Sequence, residues 1–196
     1  MARRAAIFLD RDGVIIENRS DYVRAWEDVV FLPGVLDALA ALRHDPRAVV
    51  VVTNQSAVGR GLITRPAADD INARLVAAIH AAGGRVDAVY LCPHTDADGC
   101  DCRKPAPGLL LRAAVDLDLD LAHSIMIGDA LSDVAAGRAA GVGSTALVRS
   151  GRGADQERLP DAARLQPLAV FDTLDTALAA LAQTAQTSTH GHNHAP

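Results

Sequence analysis

The chain has 196 residues, of which 49% are hydrophobic and 22% charged, with a formal net charge of −5. That length and balance fit one globular domain with a sizeable core, and the negative charge disfavours nucleic acid and anionic membrane as partners, so an anionic ligand would need local cations or a metal. No apolar run reaches the length of a membrane span, and Met1-Ala2-Arg3-Arg4 leads into a strand without an apolar signal region, which predicts a cytoplasmic protein, expected as a monomer.

The first predicted strand, Ala5 to Leu9, runs into Asp10-Arg11-Asp12-Gly13-Val14. Alternate residues of an extended segment project to the same side, so Asp10 and Asp12 can face one point beyond the strand end, which suits a hard cation and a phosphate. Asp and Gly are equally ordinary turn residues, and these five alone do not separate a site from a surface turn. The polar stretch from Glu17 to Asp28, with Tyr22 and Trp26, is long for a connection inside a domain and is a candidate functional loop. Leu32-Pro33-Gly34 then opens a helix with Val35, Leu36, Leu39 and Leu42 on one face.

Ala48 to Thr53 is an uninterrupted, mostly β-branched run, as expected of a parallel strand covered on both faces. It ends in Thr53-Asn54-Gln55-Ser56 and Gly59-Arg60-Gly61, whose polar side chains and backbone N–H groups could cradle an anion or simply connect two elements. A helix starts at Thr64 and Pro66, carries Ile71, Leu75, Val76 and Ile79, and stops at Gly83-Gly84. Val86 to Leu91 forms the third predicted strand, followed by Cys92-Pro93-His94 and Cys100-Asp101-Cys102.

Three cysteines so close together do not make a disulfide framework, whereas Cys92, His94, Cys100 and Cys102 supply the four ligands of a tetrahedral Zn²⁺. With every position taken by protein, such an ion would brace the loop over 92–105 and not catalyse; incidental free thiols are the alternative. Arg103 and Lys104 follow at once, a phosphate-recognition pair on a clamped loop or two solvated cations on a free one. Pro107-Gly108 opens the next helix, through Leu109, Leu110, Leu111 and Val115.

The fourth strand, Ser124 to Ile127, stops at Gly128-Asp129, with Asp133 one helical turn later. Asp129 is a candidate metal ligand or a helix cap, and Asp133 can support it or the metal from behind. A helix to Gly141, strands at Ser144 to Val148 and Leu168 to Phe171, and a helix with Leu174, Leu178 and Leu181 complete a single domain over 1–183. Residues 184–196, with His190, His192 and His194, are expected to form a disordered tail.

Strands alternating with helices predict an α/β fold, a doubly wound parallel sheet without a separate cap domain, and such sheets place their sites beyond the carboxyl ends of the strands. Asp10 and Asp12, Thr53, Lys104 and Asp129 all fall at such ends. Asp10-x-Asp12-Gly13-Val14, Thr53-Asn54, Lys104 and Gly128-Asp129 with Asp133 resemble, in the usual order, the four motifs of the haloacid dehalogenase superfamily. The loop from Thr53 to Ser56 with Arg60-Gly61, and the stretch from Cys92 to Pro105, are similar to its zinc-loop subgroup, which holds heptose-bisphosphate and histidinol-phosphate phosphatases. The resemblance covers about Ile7 to Val148; Ala130 stands where Lys is frequent and Ile16 where Asn is.

The resemblance implies a Mg²⁺-dependent phosphatase acting on a small phosphosugar. Asp10 would be the nucleophile and Asp12 the general acid and base. Asp10, the Asp12 carbonyl and Asp129 would hold Mg²⁺, while Thr53, the Asn54 N–H and Lys104 would hold the transferred phosphate. Without a cap, selection of the substrate is expected from three loops carrying Arg19 and Tyr22, Gln55, Ser56 and Arg60, and Arg103, the last of these for a distal phosphate. A zinc-stabilised nucleic-acid-binding module is the rival from another class, and the few aromatics and absent basic stripe weigh against it.

Overall fold

The computed structural model of the chain describes residues 3–187. Six parallel strands pair in the order β3-β2-β1-β4-β5-β6, with β1 at Ala6–Leu9, β2 at Ala48–Asn54, β3 at Ala88–Cys92, β4 at Ile125–Gly128, β5 at Ser144–Val148 and β6 at Ala169–Phe171. The helices are α1 (Val35–Ala41), α2 (Ser56–Gly59), α3 (Arg65–Ala81), α4 (Gly108–Asp116), α5 (Leu131–Ala139), α6 (Gly153–Gln156) and α7 (Leu174–Thr187).

Successive strand residues point to opposite faces, and both faces are covered, so each central strand must be apolar at every position. Ile7, Leu9, Val49, Val51, Ile125 and Ile127 pack with Leu39 of α1, Leu75 and Ile79 of α3, and Leu178 of α7. Their neighbours Ala6, Phe8, Val50, Val52 and Met126 pack on the other face with Leu109, Leu110 and Ala113 of α4 and Ala136 of α5. The predicted doubly wound sheet is thus the observed one, and no helix among the described residues is long and apolar enough to cross a membrane.

The chain moves outward from β1 through β2 to β3, then returns to place β4 on the other side of β1. That reversal opens a crevice between the carboxyl ends of β1 and β4, where doubly wound sheets bind ligands. Asp10 follows β1 and Asp129 follows β4, so both are delivered to it.

Several boundaries differ from the sequence-based expectation, each for a physical reason. β3 begins at Ala88 and not at Val86, because the Val86 N–H donates to His80 Nε2 at 3.2 Å and ties that residue to the end of α3. The short helices α2 and α6, and the 3₁₀ turns at Trp26–Asp28 and Pro160–Leu165, hold too few residues to show a helical period. Residues 17–28, read as a loop, are pinned where the Arg74 guanidinium lies 4.9 Å from the centre of the Trp26 ring. Finally, α7 continues to Thr187, past the point where the tail was expected, since Ala and Gln there are good helix formers. The rest of that expected tail, with His190, His192 and His194, lies outside the described residues.

Candidate active site

Lys104 is the electrostatic centre of the crevice. Its Nζ lies 2.8 Å from Asp10 Oδ1 and 2.7 Å from Asp133 Oδ1, and donates to the Val52 carbonyl at 2.8 Å. Burial opposes its charge, but Asp10 and Asp133 outweigh burial and raise its pKa, so the ammonium persists. Burial pushes Asp10 up to about 6, with Lys104 pulling the other way. The other Asp133 oxygen accepts the Ala130 N–H at 3.0 Å, so this carboxylate is engaged on both sides and serves to fix Lys104.

Asp129 is fully buried. Its Oδ2 accepts from Asn18 Nδ2 at 2.5 Å, from the Arg152 N–H at 2.9 Å and from Arg152 Nε at 3.4 Å, while Oδ1 is buried with no partner. Burial, and then the charge of Asp10, raise its pKa. The carboxylates of Asp10, Asp129 and Asp133 offer oxygens within 4.8 Å of one another. An orphaned carboxylate oxygen in such a group is what a hard divalent cation would satisfy. Gly13 leaves the necessary room: its φ is +85°, and a Cβ there would overlap Asp129 Oδ2 and Asn18 Nδ2.

Asp12 is turned differently from Asp10. The chain leaves the extended conformation after Leu9, and the Asp12 carboxylate meets Arg11 Nε at 3.1 Å and Nη2 at 3.0 Å, Gln55 Nε2 at 2.9 Å and Thr53 Oγ1 at 3.4 Å. It still lines the same cavity, of about 370 Å³, as Asp10 and Lys104.

Asn54, Gln55, Ser56, Arg19, Tyr22 and Arg103 also line this cavity, but four of them are already engaged, Arg19 with Asp21 at 3.5 Å and Asp28 at 3.6 Å. The Asn54 side chain donates to the Lys104 carbonyl at 3.0 Å and accepts the Lys104 N–H at 3.1 Å, so it holds Lys104 in place. The Gln55 amide bridges Asp12, Thr53 and Arg11. Thr53, fully buried, reaches the site through Asp12 and Gln55, whereas Arg60 is exposed and outside the cavity lining. Arg103 Nε donates to Asp96 Oδ1 at 2.5 Å across the cavity mouth.

The cysteine loop converges as its spacing predicts. Cys92 Sγ lies 3.6 Å from Cys100 Sγ and 3.2 Å from Cys102 Sγ, and His94 Nδ1 lies 3.5 and 3.3 Å from Cys92 and Cys102. Neighbouring ligands about 3.7 Å apart are expected around one tetrahedral Zn²⁺ with bonds of about 2.3 Å, so this donor set fits a closed four-coordinate ion. Burial pushes the Cys92 thiol up to about 12, so a cation is what would make it a thiolate.

A family model described as HAD-hydrolase-like matches residues 101–177. Proteins named D-glycero-β-D-manno-heptose-1,7-bisphosphate 7-phosphatase are similar to the chain: that of Bordetella bronchiseptica is 39% identical over 162 residues, 81% of this chain and 90% of the relative. The one from Escherichia coli K12 is 40% identical over 154 residues, 75% of this chain and 80% of the relative. The chain belongs to the HAD-like phosphatases. A crystal structure of the B. bronchiseptica D,D-heptose 1,7-bisphosphate phosphatase, complexed with magnesium and phosphate, superposes with a TM-score of 0.81 at 35% identity, covering 93% of this chain and 99% of that one. The corresponding enzyme from Burkholderia thailandensis gives 0.65 at 31% identity, covering 91% and 99%.

Three groups around the site of this HAD-like phosphatase escaped the sequence reading: the guanidinium of Arg11, Asp96, and the segment Ser150 to Arg152. Ser150 Oγ donates to the Gly13 carbonyl at 2.7 Å, so the loop after β5 closes on the loop after β1. The rule that located Asp10 and Asp129 at strand ends finds Ser150 and Arg152 too once it is extended to β5. No local pattern marks Asp96.

Proposed function

We propose that this phosphatase hydrolyses the 7-phosphate of D-glycero-β-D-manno-heptose 1,7-bisphosphate through a phosphoryl-enzyme on Asp10. The observation that carries the reading is the orphaned Asp129 oxygen beside Asp10 and Lys104 at the strand-order reversal, in a chain whose relatives bear that activity in their names.

An Asp10 carboxylate oxygen attacks phosphorus and forms a P–O bond as the bond from phosphorus to the sugar oxygen breaks. Asp12 gives its proton to the departing sugar oxygen. It then takes a proton from a water whose oxygen attacks phosphorus, which breaks the bond to Asp10 and frees phosphate. Mg²⁺, held by Asp10, the Asp12 carbonyl and Asp129, would neutralise the repulsion between carboxylate and phosphate. Lys104, already fixed by Asp133 and Asn54, presents a charge that needs no reorganisation, and the Asn54 N–H and Thr53 complete the phosphate cradle.

Selection of the sugar falls to the loops at the cavity mouth. Tyr22 lines the cavity with φ +68°, a left-handed conformation that costs a bulky residue about 1–3 kcal/mol and is found mainly where a side chain has to be aimed. Arg103 takes the distal phosphate in exchange for Asp96, whose 80% exposed side chain gives up its ion pair at little cost. The deciding comparison is of kcat/KM on heptose 1,7-bisphosphate and on histidinol phosphate. The bisphosphate should be preferred by at least about 100-fold, and Arg103→Ala should remove about 10-fold or more from the bisphosphate while sparing monophosphates. A preference for histidinol phosphate would overturn the substrate, and equal losses on both classes would overturn the role of Arg103.

Zn²⁺ on Cys92, His94, Cys100 and Cys102 would hold the loop that presents Arg103 and Lys104. Chelation, or Cys100→Ser, is expected to lower the melting temperature by at least about 5 °C and reduce turnover with it. Elemental analysis of freshly purified protein should find close to one zinc per chain, and its absence would refute the clamp.

A further inference from the structure

α3 turns Ala68, Ile71, Leu75 and Ile79 into the core, and Asn72, 4% exposed, stands among them. An apolar residue would serve the helix and the core better: Asn is a weaker helix former than Leu, and Asn72 Nδ2 is buried with no partner. The use of this residue therefore lies in its other polar atom. Asn72 Oδ1 accepts from Arg11 Nη1 at 2.9 Å.

Arg11 is a guanidinium with only 1% exposure. Its Nε and Nη2 meet the two oxygens of Asp12 at 3.1 and 3.0 Å, and Nη2 also donates to Gln55 Oε1 at 3.0 Å. The donors of a guanidinium lie in one plane, so whatever fixes one edge of the fork sets the direction of the other. Asn72 holds the edge that faces away from Asp12, and Gln55 closes the ring by donating to Asp12 Oδ2 at 2.9 Å.

We propose that Asn72 is a positioning residue for Asp12, acting from α3 through the buried Arg11 fork. The inference deepens the reading of Asp12 as acid and base and rests on it. Its mechanical content is that α3 sets the plane of Arg11, Arg11 sets the orientation of the Asp12 carboxyl, and that orientation decides whether the proton reaches the departing sugar oxygen as its bond to phosphorus breaks.

The test exploits leaving groups. A sugar alkoxide is a poor anion and needs that proton, whereas p-nitrophenolate departs without it. kcat/KM reports the step in which the leaving group is expelled and is blind to later hydrolysis of the phosphoryl-enzyme. With the Mg²⁺-supplemented full chain, Asn72→Leu should lower kcat/KM on heptose 1,7-bisphosphate about 10-fold and on p-nitrophenyl phosphate by less than about 2-fold. Its melting temperature should fall by no more than about 5 °C, because Arg11 Nη1 loses its acceptor while the unpaired Asn72 Nδ2 is removed as well. Asn72→Ala, which adds no bulk, carries the same kinetic expectation should Asn72→Leu not fold. Asn72→Asp keeps an acceptor in the same place and should restore both activities to within about 2-fold of the parent.

Asp12→Asn separates the two layers. A selective loss on the sugar substrate in Asp12→Asn, without one in Asn72→Leu or Asn72→Ala, overturns the positioning role alone. Equal losses on both substrates in Asp12→Asn overturn the acid reading and the positioning role together.

Discussion

Asp10→Asn is expected to lower kcat for phosphate release by at least about 10⁴-fold, with the fold intact. The amide has nearly the carboxylate's shape but is a far weaker nucleophile, so the first displacement stops. Stability should not fall, since burial already pushes the Asp10 carboxyl up to about 6 against the pull of Lys104, and a neutral side chain removes that penalty. Single-turnover assays with excess enzyme, followed by a search for phosphate bound to protein, check this. Turnover near the parental rate would remove Asp10 as the nucleophile. Loss of turnover with a covalent phosphoryl-enzyme still formed would place that bond on another residue.

Lys104→Met is expected to reduce both activity and stability. The ammonium, 4% exposed, stands between Asp10 and Asp133, and Met preserves most of its volume while removing the charge. Breaking a buried ion pair from one side leaves uncompensated charge and costs about 3–5 kcal/mol. The sign of the pH dependence follows from Asp10. Its carboxyl in the folded protein is already at about 6, above the roughly 3.9 of an unfolded chain, and loss of Lys104 raises it further.

A group whose pKa is raised by folding stabilises the folded state at low pH and loses that contribution as pH rises through the folded value. Lys104→Met should therefore lie closer to the parent at pH 5 than at pH 8 in urea denaturation. Added Mg²⁺ should recover part of the difference at pH 8 by occupying the same carboxylates. A loss independent of both pH and Mg²⁺ would show that the ammonium acts by packing and not by charge.

The two predictions depend on residues that the chain declares locally. β2 is apolar throughout because helices cover both its faces, and that requirement is written into Ala48 to Val52 as a run without alternation. From such runs the sheet follows, and from the sheet follows the rule that chemistry collects at the carboxyl ends of strands. Asp10, Asp129 and Lys104 could be picked out that way, and the cysteine loop by ligand spacing alone, because ligands two and eight residues apart meet whatever the rest of the chain does.

The partners of each atom were beyond that reading. Asn18 and Asp129 are 111 positions apart and meet only because β1 and β4 are neighbours in the sheet; Asn72 and Arg11 are 61 apart and meet only because α3 packs over β1 and β2. The Asn54 side chain is committed to the Lys104 backbone, 50 positions away, a contact that no local pattern declares. Composition, periodicity and short spacings are properties of neighbouring residues, so the fold class and the ends that carry the site were determined by the sequence itself. Which oxygen of Asp129 is left free for a cation, and which way Asp12 is turned, are set by side chains that only packing brings into reach, and these the tertiary structure decided.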